Sequence, residues 1–491
     1  MPNYLLACDE GTSSARAIVF DREARPISTA QHPVESKFPH SGWVEQDAET
    51  IWLTQLRAAK DAVERTVGWS DVSAIGITNQ RETTIVWDRS TGKPIAPAIV
   101  WQCRRTADTC AGLKASGHAS EVTDRTGLVL DPYFSGTKIG WILDNIPDAR
   151  QRAEAGELAF GTVDSWLVYR FSGGRAHVID RTNASRTLLM NLRTGGWDES
   201  MLSLLGIPAA ILPRIVPSCG VMALTDGDLL GAEIPIAGVA GDQQAALFGQ
   251  ACFRSGLVKN TYGTGCFALM HTGDDAARSA HQLLSTTAAC GPEMAQFALE
   301  GAVFVAGAVI QWLRDELALI GTAADSEGAA NAVSDTGGVY MVPAFTGLGA
   351  PYWKAEARGI LTGLTRGTRR EHIVRAALES IAYQTRELVE AMEADCGAEL
   401  EELRVDGGAT ANNFLMQFQA DILGVPVVRP AYSETTALGA AFLAGLATGM
   451  WSGLGELEQF WKVDRTFQPA MASSKREGLY SGWKEAIGRA L

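Results

Sequence analysis

The chain has 491 residues, 46% of them hydrophobic, enough to bury two or three separate cores. Its formal net charge of −14 excludes a nucleic-acid surface, which needs clustered Lys and Arg, but not a small anionic ligand that a backbone nest and a metal can hold. The eight cysteines are scattered with no C-x-x-C, the seven histidines do not cluster, and the opening MPNYLLACDEG has neither a basic region nor a long apolar run, so the sequence predicts reduced thiols, a cytoplasmic location and acid–base work done by carboxylates.

Tyr4 to Cys8 is an apolar strand ending on Asp9. The turn Glu10-Gly11-Thr12-Ser13-Ser14 follows, and Arg16 leads into a second strand, Ala17 to Phe20. Pro39 to Gln46 reads as loop. Asp47 then caps a helix reaching Val67, with Ile51, Trp52, Leu56, Ala59 and Val63 on one face. Ala74 to Thr78 is a strand that opens onto Asn79-Gln80-Arg81-Glu82. Thr83 to Trp87 and Ile95 to Trp101 flank a turn at Asp88 to Lys93. Adjacent Arg81 and Glu82 have two readings, a solvated pair or a donor set and an acceptor set aimed at one polyol. Trp101, in WQCRR, and Tyr133, in DPYFSGTK, also have two: core residues, or an apolar wall with a polar handle for the carbons of a small substrate. Leu158 to Tyr169, Thr187 to Leu192 and Trp197 to Leu205 continue a mixed α/β pattern, and Ser218 to Glu233 reads as surface loop.

The stretch from Ile234 to Met270 organises the second half. An apolar run, Ile236 to Val239, ends on Gly241-Asp242, and a short helix pattern covers Gln243 to Gln250. A second extended run, Leu257 to Thr261, is joined through Gly263-Thr264-Gly265 to a third, Phe267 to Met270. Asp242 can be a helix cap or a carboxylate facing a phosphate; Gly-Thr-Gly can be a hairpin turn or a phosphate cradle. The two Gly-Thr turns, at Gly11-Thr12 and Gly263-Thr264, lie about half the chain apart, as expected of two similar domains that each present a turn to a shared cleft. Downstream, Glu300 to Gly307 runs into a helix over Ala308 to Leu319. Val339 to Val342 is a strand, Phe345 to Trp353 a glycine-rich loop, and His372 to Glu393 an amphipathic helix. Leu403 to Asp406 is a strand, followed by the double glycine Gly407-Gly408 and a helix start. Helices over Gln417 to Leu423 and Leu438 to Leu446 complete the second domain. Ala437 to Trp451 is too short and glycine-rich for a membrane span and reads as a buried helix. There is no G-x-x-x-x-G-K-[ST], so nucleotide chemistry needs a different cradle.

Asp-x-Gly-Thr, Gly-Thr-Gly and Gly-Gly in this order resemble the nucleotide fold of the actin, hexokinase and sugar-kinase superfamily. The motifs GITNQRETTIVWD, IVWQCRRTA, DPYFSGTK, GDQQAALFGQ, NTYGTGCF, EGAVFVAGAVIQWLRDE, PAFTGLGAPYW and VDGGATANNFLMQFQADILG are closely similar to those of the FGGY carbohydrate kinases. The likeness covers nearly the whole chain, and NQRETT, WQCRR and GDQQAALFGQ together mark the branch of that family that phosphorylates glycerol to sn-glycerol 3-phosphate. The resemblance implies an α/β fold of two ribonuclease-H-like domains flanking a catalytic cleft. Residues 1–250 would carry the glycerol site and the first phosphate turn, and residues 251–491 the adenine nucleotide. By motif match, Arg81, Glu82, Tyr133, Asp242 and Gln243 would bind the glycerol hydroxyls, with Trp101 and Phe267 walling its carbons. Thr12, Ser13, Ser14, Arg16, Thr264, Gly307, Gln311, Gly408 and Asn412 would hold ATP. Asp9 would sit near Mg²⁺, and Asp242 would be the general base. The resemblance also implies a homo-oligomer, a dimer or tetramer. Phosphoryl transfer needs positioning and charge neutralisation more than covalent help, and a primary alcohol needs a carboxylate to take its proton. A kinase for another polyol or ketose is the nearest rival; an actin-like ATPase would keep the phosphate turns but need no polyol wall.

Two positions depart from the family's pattern. Glu10 stands where the family usually has Gln; beside Asp9 and a triphosphate it must pair with a cation, join the Mg²⁺ shell or point away, since contact repulsion reaches about 4 kcal/mol at an effective dielectric near 20. Glu10→Gln is expected to keep native turnover and Mg·ATP affinity; a large loss of activity assigns the carboxylate its own role. Glu233, in DGDLLGAEIPI, stands where some members have an Arg that binds fructose 1,6-bisphosphate. No inhibition by that bisphosphate is therefore expected, and a steady-state titration showing millimolar inhibition refutes this.

Overall fold

The apolar runs of the sequence assemble into two mixed sheets, seen in a computed structural model that describes residues 3–291, 295–354 and 356–491; the first two residues of the opening segment lie outside them. The first sheet comprises β1 (Tyr4–Glu10), β2 (Ser14–Phe20), β3 (Pro26–Pro33), β4 (Val72–Asn79), β5 (Cys219–Leu224) and β6 (Pro235–Gly241), in the order β5-β6-β4-β1-β2-β3. The second comprises β7 (Val258–Tyr262), β8 (Cys266–Gly273), β9 (Leu284–Thr287), β10 (Phe297–Val303), β11 (Leu403–Asp406), β12 (Val427–Pro430) and β13 (Val463–Phe467), in the order β9-β10-β8-β7-β11-β12-β13.

The two sheets repeat one plan. In the first, β1 runs antiparallel to β2, β2 antiparallel to β3, and β1, β4 and β6 lie parallel. In the second, β7, β8 and β10 repeat the antiparallel trio, and β7, β11 and β12 repeat the parallel one. The faint half-chain repeat of Gly-Thr turns is therefore a repeat of topology, as expected of paired ribonuclease-H-like domains. The parallel trios are buried on both faces, which explains their near-continuous apolar runs.

Helices cover these sheets: α1 (Ala48–Glu64), α2 (Asp242–Gly249), α3 (Gly307–Asp315), α4 (Arg370–Cys396), α5 (Asn413–Leu423) and α6 (Thr435–Ala447). Asp47 caps α1 by accepting a 2.8 Å bond from the Thr50 amide, and Ile51, Trp52, Ala59 and Val63 are buried beneath it. The helix stops at Glu64, short of Val67. Ile95 to Trp101 gives only a two-residue strand, Ala98–Ile99, because Pro94 and Pro97 have no N–H for a ladder. Ser218 to Glu233 is not a loop: it forms edge strand β5, antiparallel to β6, and a short helix over Gly227–Leu230. As an edge strand β5 leaves Val221 and Leu224 exposed, which hid it among loop-like residues.

Helix α6, from the second half of the chain, packs on the first sheet, in one core with Leu5, Ala7, Ile18, Ala74 and Ala237. Glycines make this possible. A Cβ on Gly76 of β4 would strike the Ala440 carbonyl, and one on Gly238 of β6 would meet the Ala444 amide. Where α6 crosses α2, a Cβ on Gly439 would run into the Ala245 carbonyl, and one on Gly249 into that of Thr435. The two helices thus touch backbone to backbone. Among the described residues, no helix is long and apolar enough to cross a membrane.

Gly439→Ala is expected to lower stability by about 1–3 kcal/mol, since a methyl group cannot enter this crossing without backbone movement. Gly478→Ala, at an exposed position of the C-terminal helix with open space around the glycine, is expected to raise it by about 0.5–1 kcal/mol. Denaturant midpoints for the two variants check both signs, and a Gly439→Ala protein as stable as the native one contradicts the packing.

Candidate active site

Parallel strands place their C-terminal ends level, and loops leaving that edge form the crevice where α/β sheets bind ligands. In the first sheet Asp9 is level with Thr78, and Asn79 with Gly241. Three loops therefore leave one edge: the turn after β1, the segment Gln80 to Glu82 after β4, and Asp242 after β6. In the second sheet Thr261 is level with Asp406, so the Gly-Thr-Gly turn and Gly407-Gly408 leave its edge together.

At the first edge the residues expected to line a polyol site form one connected cluster. Arg81 is buried, and its Nε lies 3.1 Å from Asp242 Oδ1. It also donates to Gln244 Oε1 at 3.2 Å and to the Tyr133 hydroxyl at 3.5 Å. Tyr133 meets Trp101 edge to face, with ring centroids 5.5 Å apart. Lys259 donates to Gln243 Oε1 and, at 3.3 Å, to the Phe267 carbonyl. Glu82, buried, accepts a 2.6 Å bond from Arg186. Its backbone is left-handed, φ 59°, a costly conformation for a non-glycine residue. Ser135 and Lys138, from the helix Ser135–Asn145, secure it by donating to its carbonyl at 3.0 and 3.1 Å.

Asp242 is the first residue of α2, and Gly241 takes the N-cap position. Its side chain remains about a third open, at 32%. Burial pushes its carboxyl above the usual carboxylate range, against the pull of Arg81 and Lys259. A part-open carboxylate with raised basicity, fixed by a guanidinium, can accept a proton from a bound hydroxyl.

The residues expected at the nucleotide fall into two groups. In the turn after β1, Trp101 Nε1 donates to Thr12 Oγ1 at 2.9 Å, so the aromatic wall and the phosphate turn are tied together. Gln31 donates to Ser14 Oγ at 2.7 Å, and Ser13 is exposed. Arg16 pairs with Glu434, just ahead of α6. At the second edge the Thr264 carbonyl accepts from the amides of Ala306 and Ala308, and Gly307 donates to the Gly263 carbonyl at 3.0 Å. A Cβ on Gly307 would crowd that carbonyl, so the glycine permits the close approach. Gly408 is exposed beside this turn, with Gly407 at φ 91°. Asn412 caps α5 through the Leu415 amide at 2.9 Å. Gln311 is exposed on α3, one helical turn beyond Gly307.

Among the described residues no group of three or more side chains could cage a metal ion. Mg²⁺ keeps its waters and takes one or two carboxylates plus phosphate oxygens. Asp9, partly open at its strand end, offers such a carboxylate. Burial raises it to about 6, with Arg16 pulling it down and Asp242 pushing it up. Glu10 points away: alternation sets it on the face of Leu6 and Cys8, which packs under α1. It is buried, both carboxyl oxygens lack hydrogen-bond partners, and burial followed by the Asp9 charge raises its pKa far above normal.

Sequence reasoning missed four charged residues here: Lys138, Arg186, Lys259 and Glu300. Glu300 lies on β10, fully buried, and accepts from Arg81 at 2.5 and 3.1 Å and from Arg186 at 2.9 Å. Burial pushes its carboxyl up, and Arg186 and Arg81 more than offset that, leaving it at about 2. A charge inside an apolar strand, FALEGAV, was the available signal, as was the lysine in VKNTY.

Comparison with known proteins agrees with this fold. Models of the FGGY family of carbohydrate kinases match the chain twice, the N-terminal domain over residues 4–249 and the C-terminal domain over residues 258–448. A glycerol kinase of Symbiobacterium thermophilum is 60% identical over 488 residues, covering 99% of this chain and 98% of the relative. Glycerol kinase 2 of Thermotoga maritima is 58% identical over 489 residues, covering 99% of each. Among solved structures, Plasmodium falciparum glycerol kinase with ADP superposes with a TM-score of 0.95 at 36% identity, over 100% of this chain and 98% of that one. A xylulose kinase of Lactobacillus acidophilus shares the fold, with a TM-score of 0.88 at 22% identity over 97% of this chain and 95% of its own. With both domain models matched in order along one chain, this protein belongs to the FGGY family of carbohydrate kinases.

Proposed function

We propose that this chain transfers the γ-phosphoryl group of Mg·ATP to a primary hydroxyl of glycerol, giving sn-glycerol 3-phosphate and ADP. The contact between Arg81 and the part-open Asp242, beside the Trp101–Tyr133 wall, carries this assignment. The glycerol kinases at 60% and 58% identity support the substrate, and the glycerol kinase solved with ADP supports the nucleotide.

Arg81, Glu82, Tyr133 and Gln243 hold the hydroxyls, while Trp101 and Phe267 cover the carbons. A polyol lacking one hydroxyl leaves a buried partner unpaired, at about 1–3 kcal/mol for each. Asp242 takes the proton of the attacking hydroxyl as its oxygen bonds to the γ-phosphorus and the bond to the β-phosphate oxygen breaks. Thr12, Ser13, Ser14 and Arg16 face the phosphates from the first sheet; Thr264, Gly307, Gln311, Gly408 and Asn412 receive the nucleotide on the second. Arg16 must exchange Glu434 for phosphate oxygens to do so. Asp9 would hold Mg²⁺, which neutralises phosphate charge when bound.

Asp242→Asn is expected to lower kcat by about 10²–10⁴-fold, the usual loss on removing a positioned base. The base must be ionised, and its raised pKa means protonation sets in at a higher pH than for an ordinary carboxylate. The native kcat/KM for glycerol should therefore fall on acidification along a limb above that usual range, and the residual Asp242→Asn activity should lack that limb. The assay is ADP release from Mg·ATP with glycerol and a panel of polyols and ketoses. Native turnover retained by Asp242→Asn excludes the base assignment, and ATP hydrolysis indifferent to every alcohol excludes the kinase reading.

A further inference from the structure

We infer that Glu300 is a positioning residue for the polyol: from the second sheet it sets the orientation of Arg81 in the site of the first. The inference rests on the function proposed above. Glu300 is in β10, a strand buried along its whole length, and its carboxylate has no access to solvent. Its two oxygens take both terminal nitrogens of Arg81, Oε2 from NH1 at 2.5 Å and Oε1 from NH2 at 3.1 Å. A two-point fork of this kind fixes the plane of a guanidinium as well as its place. With the fork engaged, the remaining Nε of Arg81 faces Asp242, and NH2 also reaches the Tyr133 hydroxyl.

The surrounding charges make this a directed arrangement. Arg186 donates to Glu300 Oε1 at 2.9 Å and to Glu82 Oε1 at 2.6 Å, so one cation joins the carboxylate of the second sheet to the acceptor of the first. Lys259, from β7, acts in parallel by holding Gln243. An apolar residue on β10 would fill the same space without the cost of desolvating an ion, so packing alone does not account for a glutamate there. The polyol-facing donors are set by charges that belong to the nucleotide-side sheet. Polyol affinity is thereby tied to the seating of one sheet on the other.

The test measures KM for polyol and for Mg·ATP, and kcat, in the native protein, Glu300→Gln, Arg81→Gln and the double variant. Glu300→Gln is expected to lower kcat/KM for the polyol about 100-fold, the loss typical of a misplaced binding group, with a much smaller change in KM for Mg·ATP. Because Glu300 acts through Arg81, the double variant should be no worse than Arg81→Gln alone. Should Glu300→Gln not fold, the double variant, which removes one charge of each sign, carries the comparison with Arg81→Gln. A native polyol KM in Glu300→Gln, additive losses in the double variant, or equal losses for both substrates overturn the inference. Native turnover, measured first, separates the two claims. Turnover on a different polyol overturns glycerol as substrate, and the variants are then compared on that polyol; no polyol-dependent turnover overturns both.

Discussion

One carboxylate without water, clasped by two guanidiniums, is the point on which the site depends. Glu300 comes from the second sheet, Arg81 from the segment after β4 of the first, and Arg186 from just beyond the short helix Arg181–Ala184. Removing such an ion from water costs several kcal/mol, and only close, hydrogen-bonded opposite charges offset it. The three groups must therefore stay together, and the side chains bound to them inherit their places. Arg81 carries Asp242 and Tyr133 with it; Arg186 carries Glu82. The left-handed backbone of Glu82 fits the same logic, since Ser135 and Lys138 hold its carbonyl while Arg186 holds its carboxylate.

Duplication of the sheet explains why phosphate and polyol chemistry meet. Each copy ends its parallel trio on a level edge, and each first hairpin presents a turn containing Gly-Thr. The two edges differ in chemistry. The first carries the carboxylates Asp9 and Asp242, together with aromatic cover. The second presents small residues in its turn, and a side chain on Gly307 would collide with the Gly263 carbonyl. A cleft with hard oxygen donors on one side and bare backbone on the other suits a ligand with a polar reacting end and a flat, weakly polar one.

Local pattern made much of this legible. Strands over Tyr4 to Cys8, Ala74 to Thr78 and Ile236 to Val239 follow from apolar runs ended by polar residues or glycine, and Asp47 announced its helix as an N-cap. The expected polyol residues, named from motifs, lie in one connected cluster. What local pattern missed depends on partners distant in sequence. The helix after Thr435 has an apolar face on nearly every side, so its sequence does not say which sheet it covers; Gly76 and Gly238 decide that from far upstream. Edge strand β5 is half exposed and resembles a loop. Glu300 was visible within its motif, but its purpose needs Arg81, 219 residues away. The pairing of Arg16 with Glu434 spans most of the chain and is equally silent in local sequence.

The crossing of α2 and α6 has a mechanical consequence. Side chains that interlock resist rotation, whereas two backbones pressed together at Gly249 and Gly439 resist being squeezed but offer no teeth against turning. The crossing can serve as a pivot. Asp242 begins α2, whose contacts in that crossing run from Ala245 to Gly249, about 5 to 10 Å away at 1.5 Å per residue. A swing of about 10° would therefore move its carboxylate by about 1 Å or more, the scale on which reaction geometry is won or lost. Two glycines with no chemistry of their own thus set the lever arm of the proposed base.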